Sequence, residues 1–137
     1  MMEIEEFLKT VYVGDRYVKE IVLDSYKKEV KIKINSISRI REHKNHEWGF
    51  CNDEDTEDGY IVFTGVSYFS MEPSGLIPND ELYHWEVKKV ENDLSEIDLY
   101  MGSYNNFEKG QEEIIMKLTA TGVCLEDPQD TSNRSYN

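Results

Sequence analysis

Ile4, Phe7, Leu8 and Val11 are spaced by three, one and three positions. That stripe has helical period and predicts a short amphipathic helix within residues 3–13, ended by Gly14. From Tyr17 the period shortens to two. Ile21 and Leu23 alternate with polar or outward positions, a turn follows over residues 24–28, and Val30, Ile32 and Ile34 alternate with Lys31, Lys33 and Asn35. This predicts an antiparallel hairpin with one wet face, whose lysines discourage edge-to-edge pairing should the strand lie at a sheet margin. Residues 39–59 are polar and read as a long excursion or hairpin tip.

The stretch from Tyr60 to Met71 is dense in β-branched and aromatic residues and predicts the strongest strand, central because it is apolar on both sides. Glu72, Pro73, Ser74 and Gly75 stop it, and Pro78, Asn79 and Asp80 mark a second turn. Residues 82–90, 97–104 and 113–125 predict three more strands, with Asn105, Asn106, Lys109 and Gly110 as the loop between the last two. Thr64-Gly65-Val66 and Thr121-Gly122-Val123 echo one another, which reads as two strands with similar exits and no repeat. The expected fold is α+β and mainly antiparallel β, one N-terminal helix packed on a sheet of about six strands. A single domain is expected over 1–128, with residues 129–137 a frayed polar tail.

The chain has 137 residues, which suits one core without staples. Nine Tyr, five Phe and two Trp supply apolar bodies that a disordered acidic chain lacks. Charge changes the picture more. The net charge is −13, and residues 1–50 carry 10 basic and 9 acidic side chains against 5 and 19 in residues 51–137. Such a balance argues against direct nucleic-acid binding by phosphate neutralisation. Asp53, Glu54, Asp55, Glu57 and Asp58 form the densest run. Like charges this close call for a solvated loop, a bound cation or a basic partner. Counted from Asp53, the sixth and twelfth positions are Asp58 and Thr64, so the glycine and glutamate of a helix-loop-helix calcium site are missing.

Other candidate chemistry is sparse. His43, His46 and Cys51 have spacings open to zinc, but no CxxC pair is present and the fourth ligand would have to be Cys124 or a carboxylate. His84, between Tyr83 and Trp85, reads as a strand histidine, with a general base as the remote option. No nucleophile elbow, phosphate-cradling loop or dinucleotide fingerprint is present, so neither an enzymatic activity nor a cofactor is expected. Cys51 and Cys124 are too few for a disulfide framework. With no secretory leader pattern or membrane-length apolar run, the expected address is the cytoplasm, away from membranes.

Phe7-Leu8-Lys9, Gly14-Asp15-Arg16-Tyr17, Ile37-Ser38-Arg39-Ile40, Trp48, Asp53-Glu54-Asp55, Ile61-Val62-Phe63, Glu72-Pro73-Ser74-Gly75, Ile77-Pro78-Asn79-Asp80 and Leu125-Glu126-Asp127-Pro128 occur in an order that resembles a family of small uncharacterised bacterial proteins, a domain of unknown function. That resemblance covers the chain to Pro128 and implies a fold-level neighbour without site residues. More loosely, the size and element order are similar to immunity proteins of polymorphic-toxin systems, which implies a cytosolic inhibitor of a toxin.

The expected function is therefore a non-enzymatic protein-binding domain, an acidic immunity-type inhibitor of a basic protein. Asp53, Glu54, Asp55, Glu57 and Asp58 would steer the encounter and Trp48 would anchor it. The alternative is a small-ligand or peptide-binding domain.

Overall fold

The N-terminal stripe folds as α1, Ile4–Lys9, burying Ile4, Phe7 and Leu8. Glu5 and Glu6 lie in its first turn and Lys9 in its last, each charge favourable to the helix dipole. The helix ends before Gly14, because Val11–Tyr12 already pairs as a strand, β1. The computed structural model describes residues 2–42, 48–105 and 110–137; the side chains of 52, 53, 105, 110 and 111 are not among those described.

Among the described residues there are twelve strands in three antiparallel sheets, where about six in one sheet were expected. They are β2 (Val18–Asp24), β3 (Glu29–Ile34), β4 (Ser36–Glu42), β5 (Trp48–Glu57), β6 (Tyr60–Thr64), β7 (Tyr68–Glu72), β8 (Leu82–Glu91), β9 (Leu94–Asn105), β10 (Gly110–Ala120), β11 (Gly122–Asp127) and β12 (Asp130–Ser135), after β1. The sheets run β1-β4-β5, β7-β10-β9-β8 and β12-β11-β6-β3-β2. The character expected from the sequence holds: mostly antiparallel sheet with one short helix.

Period-two patterning explains which faces meet. Val30, Ile32 and Ile34 of β3, Ile61 and Phe63 of β6, Ile97, Leu99 and Met101 of β9, and Met116 and Leu118 of β10 are all essentially buried. They join α1, Val11 of β1 and Ile37 of β4 in one hydrophobic cluster fed by all three sheets. The β2–β3 hairpin forms as expected, but β3 lies between β2 and β6 and is no edge.

Two long apolar segments each split into two strands. Tyr60 to Met71 divides at Gly65 into β6, central in the five-stranded sheet, and β7, at the edge of the four-stranded one. Residues 113–125 divide at Thr121 into β10 and β11. The echoed Thr-Gly-Val triplets are these two crossings between sheets, side by side: Thr121 N–H donates to Thr64 O at 2.9 Å and Gly122 pairs with Thr64. Gly65 has φ +61°, and a Cβ there would strike the Thr121 hydroxyl. Gly65→Ala is therefore expected to destabilise the fold by about 1–3 kcal/mol, read as a lower urea midpoint at unchanged slope; an unchanged midpoint would show that the corner yields freely.

Residues 130–135, expected within a frayed tail, form β12 on the margin of β11, with Glu126 opposite Arg134. Composition hid this, because a polar edge strand lacks an apolar face. It is held by charge instead. Arg134 reaches Glu29 with two bonds of 2.8 Å and Glu126 at 2.9 Å, while Lys31 donates to Glu126 at 2.9 Å. Glu126 and Glu29 are 1% and 8% exposed, so this is a buried network of two carboxylates and two cations.

Candidate functional site

The polar segment 39–59 forms two strands of the smallest sheet. Between Ile37↔Thr56 and Arg39↔Cys51, one residue of β4 opposes four of β5, residues 52–55. The acidic run thus bulges out of the ladder, where its backbone spreads like charges that a regular strand would hold close. β5 is also the outer strand of its sheet, and carboxylates on an edge discourage self-pairing.

The structure divides the six residues put forward from sequence. Glu54 is taken by Arg41 in a two-pronged pair, Arg41 Nε donating at 2.9 Å. Asp58, at φ +54° in the turn to β6, accepts from Lys19 at 2.7 Å. Asp55 and Glu57 are exposed, and no ion pair among the described residues includes either. The Asp53 side chain lies outside those described. Trp48 is 65% exposed, and Phe50, on the same face of β5, is 49% exposed and meets Tyr12 edge-on at 5.1 Å. Among the described side chains of β5, those of Trp48, Phe50, Asp55 and Glu57 are therefore the ones exposed to solvent.

A second acidic surface went unnoticed in the sequence. On the outer face of β7-β10-β9-β8, Glu86 stands directly opposite Asp98 and Lys88 opposite Glu96, with Lys117 opposite Asp98 on the far side. Opposed like charges cost stability. Burial, with Glu86 and Asp98 adding to it, raises the Tyr100 phenol above its ordinary pKa. Alternation along β9 holds the signal, with Glu96, Asp98 and Tyr100 outward against Ile97, Leu99 and Met101 inward, but sequence alone could not pair β8 with β9.

His84 lies on this open face, its side chain 55% exposed and 3.5 Å from Glu86; it is not enclosed as a general base would be. His43 and His46 fall outside the described residues. Among the described residues no group of three or more His, Cys, Asp and Glu could hold a metal ion. Cys51 and Cys124 are both buried, and burial raises Cys124 to about 11, which leaves it protonated and inert at neutral pH. Among the described residues no helix is long and apolar enough to cross a membrane.

Sequence reading also missed Arg39 and Arg134, a buried arginine in β4 and the cation that holds β12. For Arg39 the only signal was its position two residues from Ile37 on the inward face.

A family model described as a family of unknown function (DUF6258) matches residues 2–137. No curated protein and no solved structure matches the chain.

Proposed function

Since the chain belongs to this family of unknown function, we propose its role from geometry alone: a non-enzymatic protein-binding domain that receives a basic protein on the outer strand β5. The observation that carries the reading is Trp48, 65% exposed on an edge strand beside Phe50 and followed by the exposed carboxylates of Asp55 and Glu57, which have no ion pair among the described residues. Interfaces concentrate their energy in such aromatic anchors, while surrounding charge sets encounter rate and partner choice. The acidic face of β8 and β9 adds to the negative field that a basic partner would follow.

An immunity-type inhibitor working in the cytoplasm is the biological form this reading takes, and the resemblance in size and element order supports it by analogy. The charge distribution argues against direct nucleic-acid binding, and the reading needs neither a cofactor nor a membrane.

The test is capture from lysate of the producing cells at low and high salt, then stopped-flow association with the protein identified. The double variant Asp55→Lys/Glu57→Lys is expected to slow association about tenfold or more at low salt. Trp48→Ala is expected to act mainly on dissociation. A partner whose association ignores both salt and the charge reversal, or the absence of any partner lost on Trp48→Ala, would overturn the proposal.

A further inference from the structure

A cleft of about 190 Å³ opens between the β4–β5 hairpin and the β11–β12 margin, lined among others by Arg39, Glu54, Thr56, Glu126, Asp127 and Asn133. Arg39 is 3% exposed. Its Nη2 donates to Thr10 Oγ1 at 2.9 Å, and the guanidinium lies 5.1 Å from the centroid of the Phe7 ring. Its Nε is buried and has no hydrogen-bond partner among the described residues. None of their ion pairs includes Arg39 either.

A guanidinium keeps its charge at any ordinary pH, so this is a buried cation with no counter-ion among the described residues, a costly arrangement. Burial, and next the charge of Arg41, both lower its pKa, and an anion beside it would offset the cost of holding that charge unpaired.

Two of the three carboxylates that line the cleft are already held by cations. Glu126 is held by Lys31 and Arg134, and Glu54 by Arg41. Asp127 differs from both. Its Oδ1 accepts from the Gln129 backbone N–H at 2.8 Å and its Oδ2 from Asn133 Nδ2 at 3.4 Å, both neutral donors, and it has no cationic partner among the described residues. One cleft therefore holds an arginine lacking an anion and an aspartate lacking a cation.

We infer that this cleft binds a small zwitterion of amino-acid size, whose carboxylate is received by Arg39 and whose ammonium is received by Asp127. Binding gives the buried Arg39 a counter-ion and Asp127 a cationic partner at once, so a molecule with one charge gains only part of the stabilisation. The inference is independent of the partner surface on β5.

Thermal unfolding of the full chain with free L-amino acids, added one at a time, tests it, with acetate and methylammonium as single-charge probes and calorimetric titration for affinity. At least one amino acid is expected to raise Tm by about 4 °C at tenfold its Kd, and neither single-charge probe should match it. Asp127→Asn keeps a side-chain acceptor for Gln129 and should leave the unliganded Tm near that of the parent while weakening binding about tenfold or more. Arg39→Lys should abolish the shift, and because that buried change could also disturb folding, the Asp127→Asn comparison carries the test. Absence of any amino-acid response by both methods, an equal response to acetate, or undiminished binding by Asp127→Asn would overturn the assignment.

Discussion

Replacing Arg134 by methionine is expected to lower the unfolding free energy by about 3–5 kcal/mol, the usual cost of removing one member of a buried ion network. Its side chain is 19% exposed, makes two hydrogen bonds to Glu29 and is one of the partners of Glu126, whose side chain is fully buried. Without it, Glu29 loses two charge-assisted bonds in place, and Glu126 keeps only Lys31. Urea unfolding measures the effect, and a loss below about 1 kcal/mol would show that the network is solvated in the folded state.

Acid should mimic part of that loss. Hydrogen bonds from Arg134, reinforced by its charge against an opposing effect of burial, hold the Glu29 carboxyl below its ordinary value of 4.5. A carboxyl depressed on folding contributes its full share above the ordinary value and surrenders it as pH falls through the folded one. The parent should therefore weaken below about pH 4.5, and Arg134→Met should show a shallower acid limb.

Phe7→Ala is the second large effect, about 3–5 kcal/mol. The ring is wholly buried in the core of α1 and also lies over the Arg39 guanidinium, so truncation leaves a cavity and strips a buried cation of the π-face that partly replaces water. Phe7→Leu should cost less in volume while still removing the π-face, so the difference between the two variants separates packing from the cation contact. Thermal unfolding compared across the pair reads this directly. Equal stability of Phe7→Ala and the parent would mean that α1 is not part of the core.

Local period was legible and partner choice was not. Val30, Ile32 and Ile34 announced a strand with its inward face, and Ile4, Phe7 and Leu8 announced the helix, because each pattern is complete within a few residues. The number of strands was misread where a long apolar segment changes sheet, at Gly65 and Thr121, since β-branched residues look alike on either side of a corner. Lys31 read as a wet-face lysine because its partner, Glu126, comes from a distant strand. The same holds for Arg134, whose segment carries no apolar signal at all. Trp48 stands exposed on β5, in a segment whose polarity is visible in the sequence. The division of the acids into Glu54 and Asp58, which are paired, and Asp55 and Glu57, which have no ion pair among the described residues, depends on Arg41 and Lys19 and needs three dimensions.

The position of β6 also sets the order in which the chain can assemble. Its neighbours are β3, joined through pairs such as Ile32↔Ile61, and β11, joined through pairs such as Val123↔Phe63. The first pairing closes a modest loop, whereas the second must wait for the four-stranded sheet, which lies between the two strands in sequence. Long-range antiparallel pairing of this kind places folding in the slow range, about milliseconds to seconds, where helical domains of like size finish far sooner. Until β11 docks, Ile61, Val62 and Phe63 line an open strand edge, and crowding of newly made chains at that stage favours aggregation.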